Sequence, residues 1–451
     1  MIQGLNRIII SNSHVENLLN RIKKSPIGYR LAHGAFWAVF GAAISRLIQL
    51  AASVVVARLV GKDHYGELGI VQGTVGMFGM FAGFGMGLAA TKYIAEFRNK
   101  NQNKAGNIIS VSFLGSLLAS LFFAVLLLLL SPWLAVHSLN NPSLVGLLRI
   151  SSLLLFLNAM NSTCIGMLSG FEAFKAISNI NWISGIFTFP LCVVMTCWWG
   201  INGAVIGMII GGVFNYWLNV TGLRKETARF KIPFRFWPRK PDWGIFWKFN
   251  VPSVLSGAIL SPTNWICGVM LVNTVNGYSE MGAYSATNQW FAALMFLPTL
   301  LGQASLPVMS ERISSKNINQ IKKILKISMV INLVLVTPLL LLSFISPLIM
   351  GLYGKGFSEK WLTLVFTLFT AWVVAILTPI GQLITAIGNF WPLFIMNIAW
   401  AIVFIAFSRL WLIHGSEGLA GARLFAYLCH SIWVFVYLFR MKIWKFGKHG
   451  I

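Results

Sequence analysis

The feature that most constrains this chain is a series of long apolar blocks. About a dozen blocks of roughly 20–25 residues are each long enough to cross a hydrocarbon core of about 30 Å as an α-helix. Only 10% of the residues are charged, against about a quarter in soluble domains. The sequence therefore predicts an all-α integral membrane protein. The twelve predicted spans are 35–59, 68–91, 105–130, 144–168, 176–199, 200–222, 250–273, 282–306, 326–350, 361–386, 391–413 and 417–439.

The basic residues lie mostly on one side of the predicted membrane. Most of the 35 lysines and arginines fall in the leader, in the loops at 92–104, 223–249 and 311–326, and in the tail. This is the positive-inside pattern, so we expect both termini in the cytoplasm and contacts with anionic membrane lipids. The net charge of +24 reflects this topology, and we predict no nucleic-acid partner.

The chain repeats itself at an offset of about 215 residues. The matched positions are Ser131-Pro132 with Ser346-Pro347, Phe174 with Phe390, Asn181 with Asn397, and Gly200 with Gly415. Six crossings return the chain to the side of the membrane on which it started, so the second half has the same orientation as the first. The two halves are therefore related by an axis along the membrane normal. Transporters built in this way hold their substrate between the halves.

We therefore expect two six-helix lobes and four segments. Residues 1–33 are a cytoplasmic amphipathic leader, which either lies on the membrane surface or is frayed. Residues 34–222 are the N-lobe with spans one to six, and 223–249 are a basic cytoplasmic linker between the lobes. Residues 250–451 are the C-lobe with spans seven to twelve and a short basic tail.

Four arginines are predicted at membrane depth, where an ionisable residue usually faces a cavity or a partner. Arg46 lies near the middle of span one, while Arg149, Arg409 and Arg423 lie nearer the outer ends of their spans. No aspartate or glutamate falls in the interior of a span. Guanidinium is the best bidentate partner of phosphate, so this asymmetry favours an anionic substrate. For the three outer arginines, snorkelling to the interface is an equal alternative.

Amide side chains add hydrogen-bonding capacity at the same depth. Asn264 and Gln289 are candidate substrate-binding residues, and Asn158, Asn161, Asn288 and Gln382 share their character. Each could meet sugar hydroxyls or bond one helix to another. The chain carries no catalytic motif and no metal-ligand spacing among its five cysteines. We expect no enzyme, no metal and no cofactor.

Several segments resemble the polysaccharide (O-antigen) flippases of the MOP superfamily, which also contains the MATE antiporters. They are Ala57–Gly66 (ARLVGKDHYG), Gly85–Glu96 (GMGLAATKYIAE), Leu352–Phe357 (LYGKGF) and Leu383–Asn389 (LITAIGN). The resemblance implies twelve helices in two lobes, a V-shaped central cavity and alternating access. The implied substrate is an undecaprenyl-pyrophosphate-linked oligosaccharide, moved to the outer leaflet of the bacterial inner membrane for O-antigen, capsule or exopolysaccharide assembly. A polysaccharide polymerase and chain-length machinery are implied partners, and we expect a monomer.

Two other functions remain open from the sequence. A MATE-like drug or cation antiporter would use the same scaffold, although it needs a carboxylate in the membrane to bind cations. A membrane-embedded sugar polymerase or transferase would be expected to carry a longer outer loop than this chain offers.

Overall fold

We describe the protein from a computed structural model that covers residues 26–83, 85–233, 259–314, 318–388 and 390–440. Every regular element in these ranges is a helix, which confirms the predicted all-α class. Most of the predicted leader, most of the linker, the start of span seven and the tail after Arg440 lie outside the described residues.

The N-terminal half of the described chain, up to residue 233, is built from long helices. Its helices are α1 (Pro26–Ala82), α2 (Met86–Phe97), α3 (Gln102–Trp133), α4 (Leu144–Gly170) and α5 (Phe174–Arg229). Helix α3 begins at an N-cap, where Asn101 Oδ1 accepts the backbone N–H of Lys104 at 2.9 Å, and it continues into a π-helix at Leu134–Ser138. The cap satisfies one of the N–H groups that a helix start leaves free.

The C-terminal half, from residue 259, has shorter elements. Its α-helices are α6 (Leu260–Val272), α7 (Gly277–Leu294), α8 (Phe296–Ser314), α9 (Ile318–Val336), α10 (Ser346–Gly351), α11 (Trp361–Ile387), α12 (Phe390–Trp411) and α13 (Gly415–Arg440). Short 3₁₀ segments lie at Thr337–Ile345, Ser358–Lys360 and Leu412–His414.

Helix α5 is a hairpin rather than one straight rod. Its 56 residues would extend about 84 Å as a straight helix, far beyond the membrane. The helix instead breaks at Trp199 and at Gly200, where φ is 56°. A Cβ atom on Gly203 would lie 1.8 Å from the carbonyl oxygen of Met195, so the two arms run antiparallel in close contact. Only glycine allows helix backbones to approach this closely.

Backbone conformations recur at the offset that the sequence repeat predicts. The pairs of residues with positive φ are Gly61 (81°) with Asn276 (55°), Asn140 (51°) with Gly356 (80°), Glu172 (58°) with Gly388 (80°), and Gly200 (56°) with Gly415 (61°). The hairpin contact recurs as well, because a Cβ atom on Gly418 would lie 1.8 Å from the Trp411 carbonyl oxygen. The two halves of the chain thus turn at matching positions.

Seven stretches of the described chain are long and apolar enough to cross a membrane. Three of them, Ala43–Ala82, Phe174–Arg229 and Trp391–Arg440, break near their middle at Gly61, Gly200 and Gly415, so one stretch can hold two crossings. The protein is therefore a multi-pass membrane protein. The number of twelve spans and the division into two six-helix lobes stay predictions.

The two halves pack together at one face of the molecule. Arg58 Nε donates to the Leu352 carbonyl oxygen, and Asn273 Nδ2 donates to the Ser138 carbonyl oxygen at 2.8 Å. We call the face that carries these contacts the closed face. The opposite face, where α5 ends at Arg229, is the linker face.

The hydrophobic clusters show how far this packing reaches. The largest cluster of buried side chains contains residues of both halves, for example Val56 and Tyr65 together with Leu271 and Tyr284. Two smaller clusters lie away from the closed face. Among the described residues, one belongs wholly to the N-terminal half and the other wholly to the C-terminal half. The halves therefore share a core on the closed side and have separate cores on the linker side.

Candidate functional site

A cavity of about 700 Å³ lies in the membrane-spanning region. Its walls come mainly from α1, α4 and α5 of the N-terminal half, and Gln289 on α7 reaches it from the C-terminal half. Gly76 and Gly79 on α1, and Gly83 just after it, leave room where larger side chains would fill the space. The cavity thus lies beside the junction between the two halves.

The polar groups in the lining of the cavity are uncharged, and apolar side chains and glycines make up the rest of its wall. Among the described residues that line it, none is acidic or basic. Its polar side chains are amides and hydroxyls, namely Gln49, Ser53, Tyr65, Gln72, Asn158, Asn161, Ser162, Ser184, Thr188, Asn215 and Gln289. These groups both donate and accept hydrogen bonds, so the cavity suits a neutral ligand rich in hydroxyl or amide groups.

Aromatic and hydroxyl groups close the cavity toward the closed face. Ser53, in the cavity wall, lies 3.2 Å from the hydroxyl of Tyr353 in the other half. The ring of Tyr65 contacts the rings of Tyr353 and Phe357, each at 6.2 Å between centroids. The segment Leu352–Phe357, which carries part of the family resemblance, therefore seals one end of the cavity.

Arg46 lies at the edge of the cavity, toward the linker face. Its side chain is exposed and its Nη1 donates to Gln49 Oε1 at 2.9 Å, and Gln49 itself lines the cavity. Three residues on a helix correspond to about 4.5 Å along its axis. The Cα atom of Arg46 thus lies nearly one turn before that of Gln49, and the described residues leave most of the guanidinium donors unused.

Gln289 and Arg423 are connected through the α7 helix. Gln289 lines the cavity, whereas Arg423 is buried between helices, with 7% of its surface exposed. Arg423 Nη1 donates to Asn288 Oδ1 at 2.7 Å, and its guanidinium lies 4.1 Å from the centre of the Phe291 ring. Arg423 thus contacts the residue next to Gln289 rather than the cavity.

The other three candidate residues lie apart from the cavity. Asn264 donates through Nδ2 to the carbonyl oxygen of Leu260 on its own helix at 2.7 Å. Arg149 and Arg409 are exposed on the outside of their helices. The structure thus brings Gln289 and Arg46 to the cavity, and the roles of all six predicted site residues stay predictions.

Three amides of the cavity were missed by the sequence reasoning: Gln49, Gln72 and Asn215. Each interrupts an apolar stretch at membrane depth, which is the signal that identified Asn158, Asn161 and Gln289. The same signal could have found the missed residues, although it would not have shown which of them share one cavity.

A second, smaller cavity of about 500 Å³ lies at the closed face beside an ion pair. Lys360 Nζ lies 2.8 Å from Glu280 Oε1, and the backbone N–H and hydroxyl of Ser416 donate to Glu280 Oε2 at 2.8 and 2.7 Å. Burial raises the pKa of the Glu280 carboxyl, but the hydrogen bonds from Lys360 and Ser416 outweigh it and hold that pKa below its usual value. The charged carboxylate thus joins α7 to α13 and to the 3₁₀ segment before α11 at this face.

Metal binding has no support in the described part of the chain. It contains no group of three or more histidine, cysteine, aspartate or glutamate side chains placed to hold an ion. The described groups at the site offer hydrogen bonds from amides and hydroxyls and, at its edge, the cation of Arg46.

A multi-pass helical protein with a polar cavity beside the junction of two similar halves has the architecture of a membrane transporter. The family described as polysaccharide biosynthesis protein matches residues 31–313. This match covers more than half of the chain, and the chain belongs to that family. The predicted resemblance to the polysaccharide flippases of the MOP superfamily is thereby confirmed.

Curated relatives agree with this assignment. The EPS I polysaccharide export inner membrane protein EpsE of Ralstonia solanacearum is 21% identical over 408 residues, 86% of this chain and 89% of that protein. EpsE of Ralstonia nicotianae is 24% identical over 212 residues, 46% of this chain and 48% of that protein, so this alignment spans about half of each. A Shigella flexneri protein provisionally named an O-antigen transporter is 23% identical over 321 residues, 68% of this chain and 73% of that protein.

Solved structures show the same fold. A multidrug resistance MATE family transporter of the MOP superfamily, in an inward-facing conformation, matches with a TM-score of 0.70 and 16% identity over 92% of this chain and 100% of that one. A MOP superfamily transporter from Pyrococcus furiosus matches with a TM-score of 0.71 and 15% identity over 93% and 96%. The protein therefore has the MOP fold, and its relatives identify it as a polysaccharide-related membrane transporter rather than an enzyme.

Proposed function

We propose that this protein is a flippase that moves an undecaprenyl-pyrophosphate-linked oligosaccharide from the cytoplasmic to the outer leaflet of the bacterial inner membrane. The observation that carries the proposal is the cavity of about 700 Å³ lined by uncharged amides and hydroxyls, with Arg46 at its edge. Sugars offer many hydroxyl groups to such a wall, and a pyrophosphate offers oxygens to a guanidinium. The oligosaccharide occupies the cavity, and the pyrophosphate remains beside Arg46.

The linker face is the cytoplasmic face in this proposal. Most of the basic loops lie on the side of the linker, and the positive-inside rule then places both termini and residues 223–249 in the cytoplasm. The cavity is sealed toward the closed face by Tyr65, Tyr353 and Phe357. The described conformation would therefore receive its substrate from the cytoplasmic leaflet, between an N-lobe of residues 34–222 and a C-lobe of residues 250–451.

Movement of an anionic head group outward needs no coupling carboxylate. With the cell interior negative, each negative charge moved outward gains roughly 2.3 kcal/mol per 100 mV of membrane potential. The described lining offers no acidic side chain that could exchange a proton or a sodium ion with a cationic drug. The proposal therefore favours a flippase over a drug or cation antiporter on the same fold.

Bacteria that lack the chain provide the test. We expect lipid-linked oligosaccharide to accumulate on the cytoplasmic leaflet, and the wild-type chain to relieve the accumulation. Arg46→Ala should reduce flipping at least tenfold, because loss of a hydrogen bond to a charged group costs about 1.5–3 kcal/mol. Arg224→Ala is the matched control, since Arg224 is an exposed arginine at the end of α5 and does not line the cavity.

The possible results distinguish the flippase function from the role of Arg46 and from the antiporter alternative. Relief by the wild type and by both variants would keep the flippase and remove Arg46 from its mechanism. If deletion causes no accumulation but makes the cells sensitive to cationic drugs, the protein is an antiporter and the proposal is wrong.

A further inference from the structure

The orientation of two amides in the cavity wall is fixed by their partners. Asn161 Nδ2 donates to the carbonyl oxygen of Gly212 at 3.1 Å. A carbonyl group can only accept, so Asn161 turns its Oδ1 toward Asn219, whose Nδ2 donates to it at 3.0 Å. The same nitrogen donates to Asn215 Oδ1 at 2.6 Å. Asn215 lines the cavity, and its Nδ2 group is left without a partner among the described residues.

Arg46 fixes the orientation of Gln49 in the same way as Asn219 fixes that of Asn215, by holding its side-chain oxygen. A guanidinium group can only donate, so the Gln49 atom that lies 2.9 Å from Arg46 Nη1 is the oxygen Oε1. The Nε2 amino group of Gln49 is therefore left for the cavity that this residue lines. Two wall amides thus have their oxygens held by the protein and their amino groups unused.

The two amino groups lie at about the same depth. The arms of α5 pair so that Gly211 contacts Thr188, which places Asn215, one turn further along, near Gly185. Gly185 in turn contacts Ile48 of α1, the residue before Gln49. Asn215 and Gln49 therefore form one layer of hydrogen-bond donors on the linker side of the cavity.

Nearer the closed face, a wall amide leaves its oxygen free rather than its amino group. Gln72 donates through Nε2 to the sulfur of Met208 at 3.4 Å, which leaves its oxygen as an acceptor. The donor layer is thus a local feature of the wall around Asn215 and Gln49, close to Arg46, and not a property of the whole cavity.

We propose that this donor layer recognises the carbonyl oxygen of an acylamino substituent on a sugar of the lipid-linked oligosaccharide, an inference that rests on the proposed function. An amide carbonyl is an acceptor without a proton of its own, so it matches a pair of N–H donors. A hydroxyl in its place must also direct its proton to an acceptor, and the described layer offers none on these two amides. The layer is uncharged, which suits a neutral amide better than a carboxylate.

Asn219 is the positioning residue of this layer. It is fully buried, with 0% of its surface exposed, so it cannot touch the substrate. Its amino group holds the oxygens of Asn161 and Asn215 at the same time. Without it, Asn215 could rotate and present either end to the cavity, while Asn161 would keep its hydrogen bond to the Gly212 carbonyl oxygen. The preference for an acceptor would then be lost while the cavity remained.

The experiment uses the full chain in lipid nanodiscs and two synthetic probes, a polyprenyl-pyrophosphate linked to N-acetylglucosamine and the same lipid linked to glucose. The sugars differ only in an acetamido or a hydroxyl group at one carbon. We expect the wild type to bind the acetamido probe about tenfold more tightly, the effect of one well-made buried hydrogen bond. Asn219→Leu and Asn215→Asp should each reduce this preference to less than about threefold.

Asn332→Leu is the matched control, because Asn332 is an equally buried asparagine that donates to the Ala375 carbonyl oxygen in the other half. It should keep the tenfold preference. Asn215→Asp preserves the size of the side chain and the oxygen that Asn219 holds, so it tests the layer even where Asn219→Leu fails to fold. Equal binding of both probes by the wild type would overturn this inference alone. Failure of both probes to bind would overturn the proposed function as well.

Discussion

At the scale of single residues, two arginines at membrane depth have opposite environments. Arg46 is exposed at the edge of the cavity and has one hydrogen bond to the described residues, to Gln49. Arg423 is buried, donates to Asn288, stacks on Phe291, and lies within reach of the hydroxyls of Tyr284 and Tyr427. A buried cation without a carboxylate partner in the described chain depends on such contacts. We therefore expect Arg423 to hold α13 against α7, and Arg46 to meet the substrate.

Arg423→Met should separate these roles. The variant loses a hydrogen bond to a charged group, which costs about 2 kcal/mol, so thermal unfolding of the purified protein should occur at a lower temperature. Flipping should fall with stability, because Asn288 and Gln289 lose their support. Arg409→Met, at an exposed arginine, should melt like the wild type. If Arg423→Met melts normally and yet abolishes flipping, Arg423 acts on the substrate directly and the structural role is wrong.

The sequence indicates how far along its span each candidate site residue lies, but not which side chains surround that residue. Counting along a span places Arg46, Asn158 and Gln289 at membrane depth, but the direction of a side chain depends on which helix packs beside it. Nothing near Arg423 in the sequence indicates that Asn288, 135 positions away, accepts its hydrogen bond. Only the packing of helices that are distant in the sequence shows which side chains are neighbours. That packing determines which candidate residues lie at the cavity.

At the scale of helices, glycine and proline explain which predicted span boundaries agree with the structure and which do not. The turn predicted between spans five and six is present at Trp199 and Gly200, because glycine adopts the positive φ that the turn requires. Predicted span nine, by contrast, is not one regular helix. Helix α9 ends at Val336 and a 3₁₀ segment with Pro338 in its first turn follows, since proline cannot donate the backbone hydrogen bond that an α-helix needs there.

Gly66 controls the contact between α1 and α7 at the closed face. A Cβ atom at this position would lie 1.8 Å from the carbonyl oxygen of Tyr278, so Gly66→Ala should push the helices apart. Overpacking of this kind costs typically 1–3 kcal/mol, enough to increase opening of this face by about tenfold. Labelling of Ser53→Cys by a membrane-impermeant maleimide, added from the closed side, measures the opening.

Gly73→Ala on the same helix is the control for this measurement, because no atom lies within 4 Å of a Cβ atom built there. Its labelling rate should match that of the Ser53→Cys protein without a further change. Equal rates for Gly66→Ala and Gly73→Ala would show that the closed face does not depend on this approach of the two helices.

At the scale of the whole molecule, the division of the hydrophobic core has a mechanical consequence. One cluster joins the two halves on the closed side, while each half keeps its own cluster on the linker side. Under the proposed function, we therefore expect the halves to rock as units, with the shared contacts breaking and new ones forming at the other face. Packed interfaces of this kind have discrete arrangements rather than a continuous range, as alternating access requires.

A cross-link across the closed face should stop transport without removing the substrate site. Asn273 and Ser138 belong to different halves and are joined by a hydrogen bond of 2.8 Å, so cysteines at both positions are within reach of a short bis-maleimide. We expect the cross-linked protein to bind lipid-linked oligosaccharide from the linker side but to flip it at less than about a tenth of the rate of the protein before cross-linking, because the shared core can no longer separate.

The matched cross-link lies within one half. Asn141 Nδ2 donates to Glu67 Oε1 at 3.0 Å, and both residues belong to the N-terminal half at the same face. Cysteines at these two positions, joined by the same reagent, should leave flipping close to the wild-type rate, since a rigid half remains free to rock. Undiminished flipping with the link between Ser138 and Asn273 in place would mean that the substrate crosses without separation of the halves at this face, and alternating access would not describe this protein.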